Sequence, residues 1–234
     1  MPRLRLFLGL ALLSLLPVAA GAETAAPAPT YIAPATLPPE LLPPPPPEGS
    51  PEWQEELATI VADQGHAPDL NEMAAMRAEQ HVKVELLTDG LGPHFTRRDL
   101  PKTFALLDHV LTDATLVTAA AKKYWNTRRP YVADPHVKLL IDPPEDPLSY
   151  PSGHACVSRV LAEVLGLLVP QKRDDLRARA EEIAERRVEE GVHFSFDLEG
   201  GRLLAMLITG ALMRSDAFRQ DLAAAHEEMA QFKP

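Results

Sequence analysis

From Pro51 onward, proline and glycine cut the chain into segments that mostly open on a helix-capping residue. None of these segments alternates apolar and polar residues over the length of a strand. That pattern excludes a sheet and leaves helix packed on helix. Ser50, Pro51 and the acids Glu52, Glu55 and Glu56 predict a helix over 51–63. Asp69 is placed to cap a second helix, with Met73, Met76, His81, Val84 and Leu87 spaced for one face and Gly90-Leu91-Gly92-Pro93 as its end. Asp99 is placed to cap a long helical region from Pro101 to about Asn126, with a break near Thr112. Residues 132–150 contain Pro135, Pro143, Pro144 and Pro147 and read as a loop. Further helices are predicted over 153–168, 171–190, 194–214 and 215–232. Residues 51–234 are then one all-α domain, within the usual size of a single core. Cys156 is the only cysteine, so no intramolecular disulfide is available and the core alone must hold the fold. Cys156 itself reads as a small buried residue.

The N-terminus has a different composition. Residues 1–22 read as a secretory signal peptide: Arg3 and Arg5, an apolar run from Leu6 to about Ala20, and the small exit Ala20-Gly21-Ala22. The run is short for a span, which needs about 20 apolar residues, and no other segment comes close. No cysteine follows the signal to carry a lipid anchor. The mature chain is expected to begin near Glu23 and to work in the periplasm. Residues 23–50 form a Pro/Ala-rich extension of polyproline character. It is either a spacer or a strap laid along the body through Tyr31, Ile32, Leu37, Leu41 and Leu42. The net charge is −10, and −12 once Arg3 and Arg5 are removed with the signal. That argues against a nucleic-acid partner. It also makes local cationic clusters more informative.

Three short stretches carry chemistry. In the first, Lys122 and Arg129 stand seven residues apart before Pro130, a two-turn step that puts both on one face of a helix. In the second, Tyr150-Pro151-Ser152-Gly153-His154 is an extended turn entering a helix. Pro151 disfavours helix at Tyr150, Ser152 is a good N-cap, and the free amides beyond it suit an anion. In the third, Arg187 and His193 face each other across a turn at Gly191, and Asp197 stands four residues after His193. A carboxylate there fixes the imidazole tautomer and leaves the other nitrogen free to attack. Taken singly, each stretch is ordinary. His109 and Asp113 share the four-residue spacing and are given no role. Histidines 66, 81, 94, 109, 136 and 226 form no ligand cluster. Tyr150, Trp125 and Tyr131 lie close to these stretches, with packing their commoner fate.

Together the three stretches resemble the three-part signature of the type 2 phosphatidic acid phosphatase superfamily. The intervening lengths, residues 131–150 and 155–185, fit as well. Leu41-Leu42-Pro43 to Ser50, Ser149-Tyr150, Pro170-Gln171 and Asp216-Ala217-Phe218 to Gln231 further resemble the secreted class A bacterial non-specific acid phosphatases. The resemblance implies an all-helical fold, small phosphomonoester substrates (nucleotides, sugar or aryl phosphates), no metal or other cofactor, and a homo-oligomer. By position it makes His193 the nucleophile, Asp197 its orienting partner and His154 the general acid. Lys122, Arg129, Arg187, the Ser152 hydroxyl and the Gly153 amide would hold the phosphoryl oxygens. This chain departs from the family where serine usually precedes the last arginine. Arg186 stands there, expected to pair with Glu182 or Glu190, each four residues away. Glu189 and Glu190 are expected to face solvent, since an inward acid would weaken an anion site. The cations should disfavour a protonated His193 and keep it nucleophilic in mildly acidic medium.

Two rivals are a vanadate-dependent haloperoxidase-like enzyme, generally a larger chain, and a helical binding module that has lost activity. A membrane lipid phosphatase shares the motif, but this chain lacks the spans.

Overall fold

Nine α-helices follow one another among residues 28–232, the part of the chain that this computed structural model describes. They are α1 (Pro51–Asp63), α2 (Leu70–Ala78), α3 (Glu85–Thr88), α4 (Pro101–Trp125), α5 (Pro130–Ala133), α6 (Gly153–Leu168), α7 (Arg173–Glu189), α8 (Ser195–Leu212) and α9 (Asp216–Met229). Those residues contain no strand, only an isolated bridge between Arg128 and Leu148. The signal assigned to residues 1–22 lies outside the described residues.

α6 is the central helix. It packs against α7, α8 and α4, while α9 covers α4. A helix packed on three sides must be apolar nearly all round. Accordingly Val157, Val160, Leu161, Val164 and Leu165 are all buried, each such side chain stabilising the fold by roughly 1.5–3 kcal/mol. Cys156 is also in this core, and burial pushes its thiol up to about 12. α4 is long and apolar enough to cross a membrane by length and composition, contrary to the expectation that no second segment comes close. Here it is a core helix, burying Leu106, Leu107, Val110, Ala114 and Val117.

Several helix ends differ from expectation, each for a tertiary reason. Asp99 does not cap α4. It pairs with Arg98 and His94, and Leu100 takes the N-cap position without a side-chain bond. The orphan amides of Lys102 and Thr103 donate instead to the Glu228 carboxylate of α9, at 2.9 and 2.8 Å. α4 runs unbroken through Thr112, whose hydroxyl donates to Asp108 O. α2 has the expected Asp69 cap, with a capping box to Glu72, but it stops at Ala78. The Glu79 carbonyl, which would continue the helix, accepts a hydrogen bond from His154 Nε2 at 2.9 Å. His81 is therefore exposed, off the face that Met76, Val84 and Leu87 bury. The 132–150 loop begins inside α5, a single turn.

The Pro-rich segment is a strap laid along the body. Asp113, in the core of α4, accepts the amides of Thr30, Tyr31 and Ile32 at 2.7–2.9 Å. Ile32, Leu37 and Leu42 join the main core. Tyr150 donates its hydroxyl to Pro43 O and stacks edge-on to Trp125.

Gly200 and Gly201 set how closely α8 approaches the entry to α6. A Cβ at Gly200 would meet the Tyr150 ring at 2.3 Å, and one at Gly201 would meet Ser152 O at 2.7 Å. Backbone cannot move aside as a side chain does, so Gly201→Ala should destabilise the protein by about 1–3 kcal/mol. The check is a thermal unfolding midpoint lowered by several degrees. An unchanged midpoint would mean that α8 and the α6 entry are less tightly joined than this geometry requires.

Candidate active site

The turn between α7 and α8 builds one wall of the site. Gly191 ends α7 with φ +76°, a conformation that favours glycine. The amides of Val192 and His193 fold back onto Arg187 O. Gln64 of the α1 C-cap braces the turn by donating to Glu189 O and Lys138 O. His193 emerges just ahead of α8, and Asp197 is its third residue. His193 Nδ1 donates to Asp197 Oδ2 at 3.1 Å. The same oxygen accepts Ser149 Oγ at 2.6 Å and the Phe194 amide at 3.0 Å. Arg129 Nη1 donates to His193 Nε2 at 3.1 Å, and a guanidinium N–H has no acceptor role. Both contacts require the tautomer with the proton on Nδ1 and a lone pair on Nε2.

The cations arrive from different elements. Lys122 is in the last turn of α4, but Arg129 does not share that helix face. α4 ends at Trp125, with Asn126 in the left-handed region, and Arg129 reaches the site as N-cap of α5. Both are held by backbone carbonyls rather than carboxylates. Lys122 Nζ donates to Leu148 O and Ser149 O at 2.5 and 2.8 Å, and Arg129 donates to Asp146 O and Val192 O. The nearest carboxylate to Lys122 is Asp146, at 3.8 Å. Their charge is therefore stripped of water but little neutralised. Burial, and then the neighbouring Arg129, brings Lys122 down to about 7. Burial likewise lowers Arg129 and Arg187. Gly153, at the N-terminus of α6, lies against Lys122: a Cβ there would stand 4.0 Å from Lys122 Cε.

These groups share one cavity of about 570 Å³, lined by Lys122, Arg129, Gly153, His154, Arg187 and His193. Residues 80–82 and 141–146 also line it. Ser152 is not among its lining residues. Its Oγ accepts the Ala155 amide as N-cap of α6, and its own amide donates to Asp197 O. Tyr150 and Trp125 pack in the core instead of lining the cavity. Ser149 was missed as a partner of Asp197, since a lone serine before Tyr150 has no signature of its own.

Burial, followed by Arg129, Lys122 and Arg187, holds His193 well below the usual imidazole range. The expected cations thus contribute, but desolvation comes first. His154 is shifted the same way, by burial and then Arg187. Burial raises the Asp197 carboxyl to about 6 against the hydrogen bonds from Ser149 and Phe194. What remains is an imidazole whose Nε2 lone pair, engaged by Arg129 Nη1, faces a cationic hollow. Such a hollow suits a tetrahedral oxyanion.

Residues 104–221 match the PAP2 superfamily, about half the chain. The chain belongs to the PAP2 superfamily. It is 30% identical over 200 residues to a protein of Salmonella typhimurium named non-specific acid phosphatase, covering 80% of this chain and 78% of that one. A non-specific acid phosphatase of Providencia stuartii is 29% identical over 203 residues, covering 82% and 81%. The fold is similar to that of a bacterial vanadium-dependent iodoperoxidase, with TM-score 0.56 and 17% identity over 74% of this chain. The match takes in 52% of that peroxidase, so this chain spans about half its length.

Within this PAP2 domain, the two departures noted in the sequence are both resolved by ion pairs, one long-range and one local. Arg186 stands 3.9 Å from Glu182, as one option had it, but its main partner is Glu79, 2.5 Å away, and not Glu190. Glu190 does not face solvent. It is fully buried, with Oε2 at 2.5 Å from Arg187 Nη1. The reason is local: residues three apart at a helix end share a face, and an otherwise unopposed buried guanidinium draws the acid inward. Neither Glu190 oxygen forms an aligned hydrogen bond, and Arg187 Nε and Nη1 have no aligned acceptor among the described residues. Arg187 thus retains donors that an entering oxyanion can engage.

Burial raises the Glu190 carboxyl from its ordinary 4.5 to about 7, against the pull of Arg187. Between about pH 4.5 and 7 the folded protein therefore holds a proton that the unfolded chain has released. This group's contribution to stability falls as pH rises through that window. Glu190→Gln carries no such proton. Its stability relative to the parent should climb between pH 4.5 and 7.5, by up to about 3 kcal/mol. Urea unfolding of both proteins at the two pH values measures this. A gap that does not change with pH would rule out the raised carboxyl.

Proposed function

We propose that this protein is a metal-independent acid phosphatase that hydrolyses small phosphomonoesters through a phosphohistidine on His193. The observation that carries the reading is the lone pair on His193 Nε2, fixed by Asp197 on Nδ1 and set among Arg129, Lys122 and Arg187 in one cavity. Kinship with proteins named non-specific acid phosphatase supports the same activity. The signal pattern in residues 1–22 supports a periplasmic enzyme.

In this reading the phosphoryl dianion enters between the three cations and the opening of α6. Arg129 Nη1 exchanges His193 Nε2 for a phosphoryl oxygen, and Nε2 attacks phosphorus opposite the leaving oxygen. The P–O bond breaks, His154 gives its proton to the departing alkoxide, and Asp197 balances the positive charge gained by the His193 ring. Water then attacks phosphorus, losing its proton to His154. The P–N bond breaks and inorganic phosphate leaves. Phosphoryl transfer needs positioning and charge compensation above all. The cations and the Gly153 amide supply that charge, and the Ser152 hydroxyl supports the α6 entry from behind.

The test is a panel of phosphomonoesters, from nucleotides to sugar and aryl phosphates, assayed from acidic to neutral pH with EDTA present. Hydrolysis unaffected by EDTA and inhibited by orthovanadate supports the reading. Reversible loss in EDTA overturns metal independence. No hydrolysis together with halide oxidation on adding vanadate would assign the cavity to peroxidase chemistry, and neither activity would make the chain a binding module.

A further inference from the structure

Glu79 is a buried acid that the mechanism does not use. Only 1% of it is exposed, and it stands at the C-cap of α2 with its carboxylate against α7. Its Oε1 accepts from Arg179 Nη2 at 2.6 Å and Arg186 Nη1 at 2.5 Å. Its Oε2 is buried with no hydrogen-bond partner among the described residues. Its own carbonyl accepts His154 Nε2–H at 2.9 Å. The next residues, Gln80, His81 and Val82, line the cavity.

We infer that Glu79 is a positioning residue for His154: the clamp of Arg179 and Arg186 on its carboxylate fixes the backbone carbonyl that orients the imidazole. This rests on the reading of His154 as proton donor to the leaving oxygen. A carbonyl can only accept, so Nε2 must carry a proton, and Nδ1 is left as the nitrogen that exchanges one with the substrate. The same acceptor favours the imidazolium that must form before the proton is given up. The clamp also gives Arg186 a task, in the position where the family usually has serine. It ties the end of α2 to the helix that presents Arg187. A carboxylate is costly to bury, even against two partly exposed guanidinium groups, merely to end a nine-residue helix. A carbonyl held in one place for a catalytic ring accounts for that cost.

Glu79→Gln keeps the size of the side chain and removes the charge that both arginines need. In the full-length protein, kcat on an alkyl phosphate should fall about tenfold or more, a share of the roughly 10²–10⁴ that a positioned proton donor supplies. On p-nitrophenyl phosphate, kcat should change less than about threefold, because a nitrophenolate leaves without a proton. KM should stay near the parent value on both. Equal losses on both substrates, or no loss on either, would overturn the inference. If Glu79→Gln does not fold, Arg179→Gln loosens the same clamp from a partly exposed position and should give the same selective loss, smaller in size. If Arg179→Gln folds without that selectivity, the inference fails. His154→Ala run alongside separates the two levels. A selective loss there with none in the clamp variants rejects Glu79 alone, and no selectivity in His154→Ala rejects the reading beneath it.

Discussion

His193→Ala is expected to lose at least about 10³-fold in turnover on every phosphomonoester, whatever its leaving group. The loss follows from what the imidazole does. Lys122, Arg129 and Arg187 can still gather a phosphate when His193 is gone, because backbone carbonyls hold Lys122 and Arg129, and Glu190 stands against Arg187. Binding should therefore survive, and inorganic phosphate should still stabilise the variant against heat. What disappears is the lone pair on Nε2, and with it any phosphoenzyme. Acid-labile, base-stable label from a radioactive substrate, trapped by rapid quenching, should appear with the parent and be absent from the variant. Label or turnover retained by His193→Ala would place the nucleophile elsewhere. Phosphate binding lost along with turnover would mean that His193 helps to build the cradle rather than to act within it.

The bounds of α1 and α6 were legible because their caps are local: Ser50 and Ser152 bond amides three residues ahead. The unlegible ends were those fixed from far away. Glu228 satisfies the first amides of α4, and His154 takes the carbonyl that would have extended α2. No window of neighbouring residues contains either partner. The same division runs through the site. Residues whose side chains bear on the cavity directly, such as Arg129, His154, Arg187 and His193, could be singled out by type and spacing. Their supports could not. Asp146, Leu148 and Val192 hold the cations through backbone carbonyls, which any residue has, and Asp113 anchors the strap by accepting backbone amides. Glu190 is different. Its place three residues after Arg187 was a signal for an inward pair, overridden by the argument that acid weakens an anion site. In the structure the buried Glu190 carboxyl itself stands against the Arg187 guanidinium.

The second large effect is a split by leaving group in His154→Ala. Losing the proton donor should cost an alkyl phosphate about 10²–10⁴ in kcat, equivalent to roughly 3–5 kcal/mol of barrier, and cost p-nitrophenyl phosphate far less. Burial, then the facing Arg187, Arg129 and Lys122, hold His154 well below the usual imidazole range. A neutral imidazole with its proton on Nε2, donated to Glu79 O, has nothing to give from Nδ1. The substrate supplies the missing condition. A phosphoryl dianion entering the cavity cancels the field of those three cations, so the ring can take a second proton once the substrate is in place. On the proposed mechanism the acid is thus armed by the charge it is to act on. The kinetic consequence is specific. Across aryl phosphates of rising leaving-group basicity, log kcat should fall gently in the parent and steeply in His154→Ala. Parallel slopes would show that the departing oxygen takes its proton from another source, and that the bond between His154 and Glu79 serves the α2 end alone.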